Sequence, residues 1–437
     1  MTEQVPGPRS AGTAVYYLLI LTAVYCFAFV DRQIVTMLVG PIKATFGASD
    51  LQIGYVIGPA FIFSAMAVGL PAGLGVDRFN RRNLVIGAGV LWSASTAAAA
   101  FVDSYTALLI SRALVGGSEA VIFPAGMSLI ADLFDRRRLP TANSVFLTSP
   151  YVGGGIALIA GGLVLGATEA VAWIHIPLLG DIRGWQTTFL YVGIAGFLPV
   201  LLLFTIREPA REKAAIGQAR FSVGGGLKFM LVRWRFYAFF YLGMGTAGLV
   251  MAMVAAWTPT YLARSFGMES SAIGLTYGPS VLVAGLLGAL TGPVVNHWVS
   301  RRYHEPTMWT ACLGPALIVA FMTLLHFAES KGVTIVCLAL LTFSYSLPLS
   351  VAGTSLQIMT PPSLRGTSSA VYLIFNSILG YALGPTMVPI VTKYVLHDPA
   401  RIGDAMKIVG LVCGAIALTS LILAARGYRA ERAQTRS

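Results

Sequence analysis

The chain has 437 residues, 56% of them hydrophobic and 11% charged, with a formal net charge of +12. A soluble domain carries about 25% charged residues, so a soluble globular protein is excluded, together with disordered, collagenous and disulfide-stapled chains. The remaining class is an all-α integral membrane protein. At roughly 20 residues per span plus short loops, the length holds about twelve helices.

In chain order, a polar stretch of residues 1–13 precedes apolar spans near 14–40, 51–76, 84–102, 105–131, 141–167 and 187–206. A basic segment, 207–233, contains Gly224-Gly225-Gly226 and reads as a linker with room for a short surface helix. Six further spans follow near 234–263, 271–295, 307–327, 332–359, 367–396 and 405–425. The expected organisation is a six-helix bundle over 1–206, a cytosolic linker over 207–233 and a second bundle over 234–437. The first apolar run is too long for a signal peptide and ends in Asp31-Arg32, so it is read as a retained helix. A β-barrel does not fit, because barrel strands are about ten residues of alternating polarity.

With the N-terminus inside, 21 of the 30 Lys and Arg fall on the inner side and 7 on the outer. Cytosolic loops carry such an excess, so both termini are expected in the cytosol and the chain in the cytoplasmic membrane. The +12 then reflects topology, and no nucleic-acid partner is expected. Cys26, Cys312, Cys337 and Cys413 all lie in apolar stretches without metal spacing. No GxxxxGK[ST] segment occurs. No cofactor or metal is expected.

The halves repeat each other. Ala125-Gly126-Met127-Ser128-Leu129 followed by Thr141-Ala142-Asn143-Ser144-Val145 returns as Ala352-Gly353-Thr354-Ser355-Leu356 followed by Thr367-Ser368-Ser369-Ala370-Val371. Gly73-Leu74-Gly75-Val76-Asp77-Arg78-Phe79-Asn80-Arg81-Arg82 has a decayed echo in Gly292-Pro293-Val294-Val295-Asn296-His297 with Arg301-Arg302. A parallel repeat of six helices suggests a site at the repeat interface near the midplane.

The Gly73 to Arg82 segment resembles the loop signature of the major facilitator superfamily, with Gly75 and Asn80 departing from its usual pattern. Asp31-Arg32, Ser111-Arg112-Ala113-Leu114-Val115-Gly116-Gly117-Ser118-Glu119-Ala120 and Asp132-Leu133-Phe134 resemble the spinster branch. The resemblance implies twelve transmembrane helices in two six-helix bundles, transport by alternating access, and lipid-like substrates of sphingoid or lysophospholipid type. It also implies that Asp77 meets the start of span 11, here Gly366-Thr367-Ser368-Ser369, in one state. There it would gain about 0.3 to 1 kcal/mol from the helix dipole. Gly73, Asp77, Arg78, Arg81 and Arg82 are the expected cytosolic latch, which favours the outward-open state; topology enforcement is the competing role for the arginines.

Within the spans and away from their ends, the only residues from D, E, K, R and H are Asp31, Arg32, Arg112 and Glu119. An ion at a bilayer centre costs roughly 2.5 to 3.5 kcal/mol, so such residues are functional hypotheses by default. Arg112 and Glu119 share one side of span 4 and are separated by a rise of about 10.5 Å. Asp31 and Arg112 fall at matching depth and are expected to pair. Glu119 is expected deeper, with no obvious cation. Asp31 and Glu119 are the expected proton carriers, and Arg32 and Arg112 their field-setting partners or the binders of an anionic head group. A static ion cluster pinning span 1 to span 4 is the bland alternative.

Trp257 and Tyr261 near the end of span 7 read as interfacial anchors. Met244, Met251 and Met253 with Tyr241 read as a soft surface, and the glycines of spans 5 and 11 as close-packing positions. The chain is expected to be a monomeric, proton-coupled secondary transporter of an amphipathic substrate, with membrane lipids as its other partners. The alternative is a proton-coupled transporter of small organic anions. An enzyme would need a nucleophile with a base or a metal cluster, and neither is visible.

Overall fold

The protein is described by a computed structural model, which covers residues 11–135, 137–168, 171–177, 180–209, 223–303 and 306–434. Among the described residues, twelve helices are long and apolar enough to cross a membrane. They are Gly12–Met37, Asp50–Gly69, Arg81–Phe101, Tyr105–Leu133, Leu139–Thr168, Gly184–Leu203, Trp234–Phe266, Ser270–Ser300, Pro306–His326, Lys331–Met359, Arg365–Tyr394 and Ile402–Arg429, here spans 1 to 12.

Several spans break along their length, among them span 5 between Phe146 and Ser149. Span 1 ends its α-helix at Ile34, tightens through Val35–Met37 and continues as Val39–Phe46, which Gly47 closes at φ 63°. Span 2 starts at Asp50 behind a capping box formed by Ser49 and Gln52. It is interrupted at Gly58 and restarts at Pro59, where proline's missing N–H costs nothing. Span 4 breaks directly after Glu119 and resumes at Ile122. Span 11 carries a π-helical stretch over Asn376–Ala382, a rare form that concentrates at functional positions.

Two features lie outside the expected spans. The linker ends in a helix, Val223–Val232; its residues 210–222 lie outside the described residues. Between spans 5 and 6, strands Trp173–Ile176 and Gly180–Arg183 pair antiparallel, with Trp173 opposite Arg183 and His175 opposite Asp181. This hairpin occupies a stretch read from sequence as plain loop.

The chain divides into two compact units. The first holds Met1–Ala48, Ala60–Ile216 and Ser270–Gly278; the second holds Ser49–Pro59, Gly217–Glu269 and Pro279–Ser437. In the first, span 1 lies against span 5 because Gly153 leaves room for the Cys26 carbonyl and Gly161 for Ile34. Gly193 and Gly196 do the same for span 6 against Ala97 and Ser93 of span 3. Gly162 and Gly166 of span 5 receive Ser270, Ser271 and Gly274 of span 8, and Gly278 faces Ile159.

The second unit has a matching arrangement. Gly54 and Gly58 of span 2 lie so close to span 11 that an added Cβ would stand 2.9 Å from the Pro385 and Tyr381 carbonyl oxygens. Arg264 clamps Asp50 with two bonds of 2.8 and 3.0 Å. The sequence Gly54-x-x-x-Gly58-Pro59 recurs as Gly274-x-x-x-Gly278-Pro279, a repeat landmark that the sequence reading did not use. The core of this unit stacks Phe236 on Phe240 at 5.4 Å, with Tyr237, Met244, Leu421 and Tyr428 buried around them. Trp257 corrects an expectation. It is no interfacial anchor: its side chain is fully buried and its Nε1 donates to the Pro385 carbonyl at 2.7 Å.

Candidate functional site

Asp31 and Arg32 are consecutive in the last turns of one helix, so their side chains leave it about 100° apart. Each therefore finds a different partner on span 4. Arg112 donates through Nη1 to Asp31 Oδ1 at 3.0 Å and through Nη2 to the Asp31 carbonyl at 3.4 Å. Asp31 is 1% exposed and Arg112 2%. The equal depth inferred from helical rise is thus realised as a buried ion pair. Thr96 of span 3 completes it, its hydroxyl donating to Asp31 Oδ2 at 2.6 Å. Sequence reasoning missed Thr96, although the Ser93, Ser95 and Thr96 run in an apolar span was the available signal. Ser111 binds the Ser95 carbonyl at 2.9 Å and ties spans 3 and 4 together beside the pair.

Glu119 departs from expectation. It does have a cation: Arg32 Nη2 lies 3.3 Å from its Oε2. The long arginine stem carries the charge across the two-turn rise that separates Glu119 from Arg112. The Arg32 guanidinium is also sandwiched, 4.8 Å from the Phe29 ring and 4.2 Å from the Phe61 ring, an arrangement that favours a cation through the ring quadrupoles. Phe61 reaches this position because Gly116 has no side chain; a Cβ there would collide with the Phe61 backbone. Ser64 donates its hydroxyl to the Ala113 carbonyl one turn further on. Glu119 is the last residue of its helix, where unpaired carbonyls favour a nearby cation.

The two pairs differ in accessibility and completeness. The Arg32 side chain is 26% exposed, against 3% for its carboxylate partner. Glu119 Oε1 is buried with no hydrogen-bond partner among the described residues, as is Arg112 Nε. The cluster is therefore two carboxylates and two guanidiniums, charge-balanced, with one carboxylate oxygen left over. Adding a proton to either carboxyl cancels one attraction and leaves an arginine to find another anion. The second-half counterpart of Glu119, Ser346, is buried and donates to the Thr342 carbonyl of its own helix.

The loop motif separates into parts. Gly73 has nothing within 4 Å of a Cβ position, and Arg78 is exposed. The Asp77 side chain lies outside the described residues. Arg81, 2% exposed, binds Asp132, Glu208 at 2.7 Å and the Ser128 hydroxyl at 3.0 Å. Arg82 donates to the carbonyls of Leu203 and Phe204, each at 3.0 Å. Glu208 also accepts the backbone N–H groups of both arginines. Glu208 thus ties span 6 to the start of span 3, a role that sequence reasoning missed. Arg81 and Thr96 are separated by about 22 Å along span 3, so the loop and the ion pairs are distinct sites.

In the second unit, Met244, Met251, Tyr345 and Pro348 line a small apolar crevice of about 10 Å³. Met253 is fully buried, and Tyr241 donates its hydroxyl to the Ser368 carbonyl at 3.0 Å. Among the described residues, no group of three His, Cys, Asp or Glu is placed to hold a metal ion.

The family model of the Major Facilitator Superfamily matches residues 21–385. An MFS-type efflux pump of Mycolicibacterium smegmatis is 26% identical, covering 93% of this chain and 92% of that protein. The sphingosine-1-phosphate transporter SPNS2 of Mus musculus is 25% identical, covering 84% of this chain and 68% of its own. A crystal structure of a bacterial homologue of the human lysosomal transporter spinster, in an inward-facing and unoccupied conformation, matches with a TM-score of 0.76 at 23% identity. It covers 96% of both chains, a likeness of fold.

Proposed function

The chain belongs to the Major Facilitator Superfamily, and on that premise we propose that it is a proton-coupled secondary transporter moving an amphipathic, lipid-like substrate by alternating access. Its relatives are transporters and not enzymes. The sphingoid or lysophospholipid class is carried over from the spinster-type relatives. The observation that supports coupling is the buried set of two ion pairs confined to spans 1, 3 and 4.

In this reading Glu119 takes up a proton and loses its ion pair with Arg32. Arg32, the accessible member, then meets an anionic head group with the paired N–H donors of its guanidinium. Asp31 releases Arg112 when the helices move and carries the second proton. The bias of Lys and Arg supports cytosolic termini and the cytoplasmic membrane. Asp77 keeps the latch role that its loop motif implies, whereas Arg81 and Arg82 hold the base of the first unit. A compact organic anion is the second reading, since a single guanidinium can bind a carboxylate through two parallel N–H donors.

Purified protein in liposomes with an imposed pH gradient tests the proposal against a panel of lysophospholipids and small acids. Uptake of a lysophospholipid that collapses without the gradient is expected. Glu119→Gln and Asp31→Asn should each abolish the gradient dependence; unchanged dependence in both variants overturns the assignment.

A further inference from the structure

Past its tight turn, span 1 continues as Val39–Phe46, and the Trp173–Arg183 hairpin stands between spans 5 and 6. Between these elements, wholly within the first unit, lies a partly open cavity of about 380 Å³. Its lining includes Pro41, Ala44, Leu165, Val171, Arg183 and Trp185. The lining is apolar apart from Arg183 and the Trp185 ring nitrogen. That nitrogen is engaged, since Nε1 donates to the Thr45 hydroxyl at 3.0 Å.

Arg183 is held and yet unsatisfied. Its backbone N–H is bonded to Gln186, whose own amide binds the Val102 carbonyl. Its guanidinium carbon lies 5.1 Å from the Trp173 ring. Nη1 is nevertheless buried with no hydrogen-bond partner among the described residues. Among the described residues its ion-pair partner is Asp103, 4.0 Å away and 93% exposed, which makes it a weak, solvated counter-ion. The hairpin's own acid, Asp181, is bonded to His175 at 2.8 Å. The Arg183 side chain as a whole is 28% exposed and lines the cavity, so its guanidinium can meet an anionic oxygen there.

We propose that this cavity is a binding site for a singly headed anionic amphiphile. One phosphate or carboxylate oxygen accepts from the accessible edge of the Arg183 guanidinium, and the first methylenes of the chain lie on Pro41, Ala44 and Leu165. A head group without charge leaves the guanidinium unpaired, and a free inorganic anion leaves the apolar wall uncovered. The site is separate from the span 1 and span 4 ion pairs and does not depend on the transport reading.

Photo-crosslinking locates it directly. The full chain in lipid nanodiscs is irradiated with a diazirine-bearing lysophosphatidic acid whose photolabel sits near the head, and the adducts are mapped by peptide mass spectrometry. Adducts are expected on peptides containing residues 40–45 and 183–186. Arg183→Gln should reduce them at least tenfold and Arg183→Lys restore them in part. Ala44→Trp, which fills the cavity, should remove them while the protein still elutes as the parent does. A neutral diazirine monoacylglycerol should label at least tenfold less.

Competition by excess phosphatidylglycerol would assign the site to a bilayer lipid, and competition by lysophosphatidic acid alone to a soluble amphiphile. Both outcomes uphold the site. Competition by inorganic phosphate alone, adducts confined to the Asp31 to Glu119 region, or equal labelling of Arg183→Gln overturns it.

Discussion

Removing one charge of the Asp31–Arg112 pair should destabilise the first unit more than removing both. Both side chains are at most 2% exposed and meet at 3.0 Å. Asp31→Asn keeps the shape and leaves the Thr96 hydroxyl a partner, because a hydroxyl can donate or accept. What it removes is the counter-charge of a buried guanidinium. Truncating one member of such a pair costs about 3 to 5 kcal/mol. Arg112→Gln leaves the opposite problem, a buried carboxylate bonded only to Thr96, and should cost a similar amount. The double variant buries no charge. It loses hydrogen bonds worth about 0.5 to 1.5 kcal/mol each, so it should cost about 2 kcal/mol. The coupling between the two sites is then several kcal/mol, at or above the top of the usual range for contacting residues. Equilibrium unfolding of the purified protein in mixed micelles measures all four corners of the cycle. If the two single costs simply add in the double variant, the pair carries no mutual stabilisation and the reasoning is refuted.

Other substitutions probe the scaffold. Gly116→Ala puts a methyl into the Phe61 backbone; it should cost about 3 kcal/mol, as overpacking does, and lower the yield of folded protein. Arg81→Gln should cost about 2 to 3 kcal/mol by stranding Asp132 and Glu208. Arg78→Gln, at an exposed position, should stay within about 0.5 kcal/mol; equal effects in a melting comparison would contradict the assignment of Arg81 to the base of the bundle. Trp257→Phe loses only the bond to the Pro385 carbonyl and should cost about 1 kcal/mol, readable as a small fall in melting temperature.

The spans were legible because a bilayer demands long apolar runs, and nothing else in the chain imitates them. Asp31 and Arg112 were legible as partners because helical rise fixes depth. Arg32 with Glu119 was not, since rise ignores the reach of an arginine stem and Arg32 lies one residue from Asp31 on a different side of the helix. Thr96 and Glu208 were hidden for another reason. A hydroxyl in an apolar span is usually satisfied by its own helix, and a glutamate after a span reads as ordinary loop. Trp257 was misplaced because aromatic residues near span ends usually sit at the interface, while here the Pro385 carbonyl, lying beside a π-helical stretch, takes its N–H. The hairpin was missed because Trp173–Ile176 is a short strand between two spans that dominate the hydropathy.

The paired Gly-Pro steps bear on how the molecule could be divided. A cut in the linker would leave a first fragment whose Gly162 and Gly166 lack Ser270, Ser271 and Gly274. The second fragment would lack Asp50 for Arg264, and Gly54 and Gly58 for span 11. Neither piece would be a finished unit, because each would miss nine to eleven residues held by the other. Complementation by coexpressed fragments is therefore the expected behaviour, with each fragment alone left to proteolysis.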